Sequence, residues 1–250
     1  MTNLKSFLGA ALGAAVLGVF AAGAASADGH SIRLGTEGAY PPYNFINDAG
    51  EVDGFEREVG DELCKRAGLE CTWVTNEWDS IIPNLVSGNY DTIIAGMSIT
   101  DERDKVIDFT QEYYPPDPSA YVALAGADLD VNGGVIAAQA STIQASYIAE
   151  SSATLVEFPS PDDTIAAVKN GEADAVLADR GFLADIVKDS NGELVFAGPD
   201  VAIGGGVGIG VRESDGELKG KLDAAIASMK SDGTLNALIA KWFDGKVTNY

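Results

Sequence analysis

The chain is poor in the residues that hold metals, grip polyanions or cross membranes. It has 1 histidine and 2 cysteines in 250 residues. His30, Cys64 and Cys71 do not make a ligand set, so neither a metal nor a cofactor is expected. Lysine and arginine number 16 against 38 aspartates and glutamates, a net charge of −22. Such a surface repels nucleic acid and anionic lipid, and neither is an expected partner. Beyond residue 27 no run is long and apolar enough to span a bilayer. The one glycine-rich stretch, 204–210, lacks the spacing of a dinucleotide-binding loop.

What is present begins with an export signal. Lys5 precedes the apolar run 7–20, and Ala25, Ser26 and Ala27 fit the small-x-small cleavage rule. The expected signal peptide is 1–27, with the mature chain starting at Asp28. An exported compartment permits a disulfide between Cys64 and Cys71, the alternative being two buried thiols. The segment 62–67 reads as a helix that Gly68 ends, and Cys71 opens a strand.

Strand and helix patterns then alternate. Residues 31–36 read as a strand. Phe55, Val59 and Leu63 mark one face of a helix, and 71–74 is again a strand. Ile81, Ile82 and Leu85 mark a short helix that Gly88 ends, and 92–95 is an apolar strand. This βαβαβ order predicts a parallel sheet flanked by helices. The second half repeats the pattern: 88–95 and 171–178 both run Gly-x-x-Asp-x-apolar-apolar-Ala. Residues 113–118 and 204–210 read as two crossings between lobes, and the tail 218–243 reads as helical. Ligands of open α/β sheets bind at the carboxyl ends of the strands. Glu37, Tyr40, the run 98–103, Ser141, Thr142 and Asp179 all fall there. The run 101–106 reads as a helix capped by Thr100, with Arg103 on its first turn as a carboxylate clamp.

Several motifs together resemble one family: Gly35 to Phe45, Asp53-Gly-Phe-Glu56, Trp78-Asp79 with Ile82-Pro83, Met97 to Arg103, Asp108-Phe-Thr110 and Asp174 to Asp179. The chain from Asp28 onward is similar to the family 3 extracellular solute-binding proteins, polar amino-acid receptors of ABC importers. Within them it resembles the lysine/arginine/ornithine-, histidine- and opine-binding branch, which also carries the cysteine pair. The resemblance implies an α/β, two-lobed periplasmic-binding-protein fold of type II. Lobe one would be 28–115 with 211–250, and lobe two 116–210.

The resemblance also implies site roles. Arg103 pairs with the ligand α-carboxylate, helped by Ser98. The Gly96 carbonyl and Asp179 take the α-ammonium, and Met97 is counted with this strand end. Ser141 and Thr142 match the second carboxylate contact. Here the sequence departs from the usual Ser-Gly-Thr-Thr-Gln, reading Ala140-Ser-Thr-Ile-Gln144. Tyr40 and Trp78 match aromatic walls around the ligand side chain. Glu37 matches an acid that meets a distal positive charge, and Gln139 stands where the branch often has an apolar residue.

The implied function is a monomeric periplasmic receptor that binds arginine, lysine, ornithine or histidine and delivers it to an inner-membrane permease. The alternatives are an opine or glutamine receptor, or a cyclohexadienyl or arogenate dehydratase on the same scaffold. No enzymatic chemistry is expected.

Overall fold

A computed structural model describes residues 31–244 and Tyr250. The expected signal peptide and His30 lie outside the described residues.

Two five-stranded sheets dominate, and they share one plan. In the first, the spatial order is Cys71–Thr75, Ile32–Thr36, Thr92–Ile93, Gly210–Val211, Asp108–Phe109. In the second it is Thr154–Phe158, Val135–Gln139, Ala175–Asp179, Ser119–Leu124, Leu194–Val201. The first three strands of each sheet are parallel and the remaining pairings antiparallel.

The repeated Gly-x-x-Asp motif has the same physical job in both. Gly88 and Gly171 leave the preceding helices with φ of 80° and 75°. Asp91 then exchanges with Arg33: its N–H donates to the Arg33 carbonyl at 2.9 Å, and its carboxylate accepts the Arg33 N–H at 3.0 Å. Asp174 does the same with Val135, at 2.8 Å in both directions. Each aspartate thus caps the start of the neighbouring strand, taking the N–H of its second residue, Arg33, in one lobe and of its first, Val135, in the other.

The cores follow from side-chain periodicity. The helix Phe55–Ala67 buries Phe55, Val59 and Leu63 against Leu34 and the apolar faces of the helices Gly216–Ser231 and Thr234–Trp242. In the second sheet, Ala175 and Leu177 face one layer with Ile136 and Ala138, while Val176 and Ala137 face the other with Phe182 and Leu183. Alternation of period two sends them to opposite faces. The helix Phe55–Ala67 ends at Gly68 in the left-handed region, φ 65°. The chain then reverses so that Cys64 and Cys71 form a disulfide, their Cα atoms 6.2 Å apart.

Two crossings join the lobes and are bonded to each other. Val207 accepts the Tyr113 N–H at 2.8 Å and donates to the Tyr114 carbonyl at 2.9 Å. The 204–208 crossing also pairs with Ile99 through Gly205 and Gly206. A Cβ on Gly205 would stand 2.9 Å from the Ile99 carbonyl oxygen, so this approach requires a bare backbone.

Two local expectations are corrected. The strand covers only Thr92–Ile93, because Gly96 turns the chain at φ 62°. The run 101–106 is not an α-helix but a turn leading into a 3-10 segment, Arg103–Lys105. Thr100 still accepts the Arg103 N–H through Oγ1 at 3.2 Å. The strand Asp108–Phe109 follows at once.

Candidate functional site

The strand ends of the two lobes face each other across a narrow cavity. Lobe one supplies Glu37 from the end of its first strand, Tyr40, Trp78 from a 3-10 turn, the backbone at Ala95 and Gly96, Ser98 and Arg103. Lobe two supplies Gln139 and Asp179 from two strand ends, with Thr142, Ile143 and Gln144 from the start of the helix Ile143–Ala149.

Four direct hydrogen bonds span the lobes at this cavity, one of them from the Asp179 N–H to the Tyr40 hydroxyl at 3.2 Å. The Tyr40 hydroxyl donates to Asp179 Oδ2 at 2.9 Å, Gln139 Nε2 to Glu37 Oε1 at 2.6 Å, and the Trp78 indole N–H to the Ser141 carbonyl at 3.3 Å. The lobes are therefore closed on each other.

The charges fall in two groups. Arg103 and Asp179 lie in each other's field. Burial pulls the Arg103 guanidinium down to about 10, against the pull of Asp179 and Glu102. Its Nη1 donates to the Ser98 carbonyl at 2.9 Å, and its carbon sits 5.4 Å from the centre of the Trp78 ring. Among the described residues it has no ion pair. Burial pushes Asp179 up to about 6, opposed by hydrogen bonds from Tyr40 and Gln144. Glu37 belongs to the other group. Burial pushes it up to about 7, and Glu77, Asp79 and Asp162 push the same way. A buried acid among acids favours a cationic neighbour.

Of the residues singled out in the sequence, Met97 and Ser141 do not bring side chains to this cavity. Met97 is fully buried and packs with Trp78, Ile81 and Leu85 in the lobe-one core. It lies beyond the strand, just after the turn at Gly96, and its side chain is turned into that core rather than into the cleft. Ser141 turns the chain at φ 61° and offers its carbonyl to Trp78. Thr142 does line the cavity, but its hydroxyl is engaged. It donates to the Gln139 carbonyl at 2.6 Å and accepts the Ala145 N–H at 3.1 Å, capping the helix. Tyr40 stacks on Phe182 with ring centres 4.1 Å apart, so one of its faces is already covered.

Two residues given no role in the sequence support the site. Gln144 is buried and donates to Asp179 Oδ1 at 2.9 Å and to Ser119 Oγ at 3.0 Å. Glu56 is fully buried, and burial raises its pKa. It accepts from Asn44 at 2.7 Å, from the Gly96 N–H at 2.6 Å and from the Tyr113 hydroxyl. Asn44 in turn accepts the Gly38 N–H at 2.7 Å. One carboxylate thus ties down both lobe-one segments that border the cavity. The signal was available: an acid lies beside Phe55 on the stripe continued by Val59 and Leu63.

A larger, open hollow lies among Pro42, Tyr114, Arg180 and Trp242. Its arginine is committed to Asp200 at 2.7 Å.

Two α/β lobes of one plan, closed over a cavity with a half-buried cation and two half-buried acids, define a solute-binding protein of the two-lobed class. The chain belongs to the bacterial extracellular solute-binding proteins, family 3, whose model matches residues 32–245. It is 34% identical over 249 residues to the L-arginine-binding protein of Pseudomonas aeruginosa, covering 94% of this chain and 95% of that one. It is 33% identical over 241 residues to the ABC transporter arginine-binding protein 1 of Escherichia coli, covering 92% and 97%. Among solved structures, a periplasmic His/Glu/Gln/Arg/opine family-binding protein from Silicibacter pomeroyi in complex with lysine matches with a TM-score of 0.85. That pair is 73% identical, over 88% of this chain and 100% of that one. These relatives are binding proteins rather than enzymes.

Proposed function

We propose that this chain is the periplasmic receptor of an ABC importer, closing on a cationic L-amino acid: arginine, lysine, ornithine or histidine. The observation that carries this reading is the division of charge in the cavity. Arg103 and Asp179 form one group, suited to the carboxylate and ammonium of an amino-acid backbone. Glu37 stands apart in an acidic field, suited to a second positive charge. One cation and two acids leave a net −1, the complement of an amino acid carrying +1. In a closed cleft that match counts for more than it does in water. Glutamine would leave one buried acid uncompensated. A dehydratase substrate such as prephenate, with two carboxylates, would meet Glu37 and Asp179 with like charge.

Arg103, Ser98, the Gly96 carbonyl and Asp179 would hold the α-groups, and Trp78, Tyr40, Glu37 and Gln139 the side chain. The mechanism is hinge closure about 113–118 and 204–210, with lobe one as 28–115 plus 211–250 and lobe two as 116–210. The receptor works as a monomer, is exported by a signal cleaved after Ala27, and delivers its ligand to an inner-membrane permease. The family's extracellular solute-binding description and the relative named as an ABC transporter arginine-binding protein support the export and the importer. A thermal-shift panel on refolded, ligand-stripped protein tests it, since a ligand of the native state raises the melting point. Shifts are expected with arginine, lysine, ornithine or histidine. A shift only with glutamine, acidic ligands or prephenate would refute the reading.

A further inference from the structure

Gly181 is the second residue of the helix Arg180–Asp189, which begins immediately after Asp179 at the cavity. Its φ is not in the left-handed region, so the backbone there does not require a glycine. Alanine would suit a helix better. The reason for the bare position lies in lobe one. A Cβ on Gly181 would stand 2.9 Å from the Tyr43 hydroxyl oxygen and 3.3 Å from the Phe243 ring. Tyr43 has no room to step aside. It is 2% exposed, and the rings of Phe55, Tyr114 and Phe243 meet it edge-on with centres 4.8–6.5 Å away. Ala184, one turn along the same helix, borders the same hollow as Gly181. A further turn on, Lys188 pairs with Asp244 of lobe one at 3.3 Å. One face of this helix therefore approaches lobe one, and it does so through small side chains. Gly181, Tyr43 and Phe243 are not among the residues that line the ligand cavity.

We infer that Gly181 is a positioning residue for ligand binding: its bare backbone is the seat that Tyr43 reaches when the cleft shuts, and it sets how far Asp179 can travel toward Tyr40. The inference rests on hinge closure as the mode of binding. Asp179 and Gly181 are two residues apart at the start of one helix. A side chain that props Gly181 off Tyr43 therefore also holds Asp179 back from the Tyr40 hydroxyl, which it meets at 2.9 Å. Packed interiors do not absorb an added methyl without displacement. In the open protein the two surfaces are apart, and the same methyl meets nothing from lobe one. It thus penalises the closed form alone, and a ligand that needs the closed form binds less well.

The test is calorimetry with arginine on ligand-stripped mature protein, for wild type, Gly181→Ala, Tyr43→Phe and the double variant. Ligand-free melting points are taken for each, and small-angle scattering of wild type is recorded with and without arginine. Gly181→Ala should bind arginine roughly tenfold more weakly. Its ligand-free melting point should be no lower than that of wild type. Tyr43→Phe removes the oxygen nearest the added methyl, so in the double variant the Gly181→Ala change should cost far less than it does alone. A change confined to the helix would show no such coupling. Three results overturn the inference: Gly181→Ala binding as wild type does, a loss that Tyr43→Phe leaves unrelieved, or a ligand-free melting point that falls along with the affinity. If scattering shows no contraction of wild type with arginine, hinge closure itself fails, and the role of Gly181 fails with it.

Discussion

Tyr40 and Asp179 meet across the cleft through two hydrogen bonds. The phenol donates to Oδ2 at 2.9 Å and accepts the aspartate's own N–H at 3.2 Å. With the stack on Phe182, one lobe-one side chain is held at three points by lobe two. Tyr40→Phe keeps the stack and removes both bonds. It should weaken binding by about 1 kcal/mol, whereas Tyr40→Ala should cost several times more. Calorimetry on the two variants checks this, and equal losses would contradict it.

Arg103 is a desolvated cation with no ion pair among the described residues, held by the Ser98 carbonyl and the Trp78 face. Arg103→Ala should cost about 3–5 kcal/mol of affinity by stranding a buried carboxylate. Arg103→Lys should recover little, since a point charge does not reproduce the planar fork. Affinity unchanged by titration would remove Arg103 from the carboxylate role.

The raised acids give ligand affinity and stability opposite responses to pH. Glu37, at about 7, and Asp179, at about 6, must be ionised to meet positive groups. Affinity for arginine should therefore fall as the pH is lowered from 7.5 to 5.5. Each acid has a folded pKa above its unfolded one, so its contribution to stability is fully present below the unfolded pKa and is lost as the pH rises through the folded value. Ligand-free protein should gain from Glu37 on acidification from about 7 toward 4.5. Melting curves of wild type and Glu37→Gln check the sign: the variant should gain less. A variant gaining as much would show that Glu37 does not titrate there.

Glu56 accepts from three buried groups. Glu56→Ala leaves the Asn44 amide, the Gly96 N–H and the Tyr113 hydroxyl without it, and should destabilise the protein by about 3 kcal/mol or more. Glu56→Gln should lie between. Denaturant unfolding measures both, and a loss below about 1 kcal/mol would contradict the network.

The disulfide closes a loop with a sequence separation of 7, at the helix end and sheet edge rather than at the cleft. Chain-entropy reasoning puts its contribution at about 2–3 kcal/mol. Replacing both cysteines by serine should lower the melting point and leave ligand affinity within about twofold. A large affinity loss would mean that this edge is coupled to the cleft.

The elements legible in the sequence were those set by local rules. The stripe Phe55, Val59, Leu63 marked the first helix, and Gly68 its end. The paired Gly-x-x-Asp motifs exposed the common plan of the two sheets, because the same capping problem arises twice. What local rules missed depended on tertiary accounting. The run 101–106 carries a sound cap at Thr100, yet it forms only a turn and the 3-10 segment Arg103–Lys105 before the strand at Asp108. Met97 shares a motif with Ser98, but after the turn at Gly96 one is buried in the lobe-one core and the other lines the cavity. Thr142 matched a carboxylate contact in the sequence, but its hydroxyl is spent on the Gln139 carbonyl and on capping its helix. Glu56 and Gln144 act through partners far along the chain, and spacing alone does not show which donors will converge on a buried oxygen.

The charge match between cavity and ligand is tested most directly by arginine and its neutral isostere citrulline, titrated into ligand-stripped protein at pH 7.5. Arginine should bind at least tenfold more tightly, and Glu37→Gln should erase most of that difference. Equal affinities for the two in wild type would contradict the assignment of Glu37 to a positive charge on the ligand.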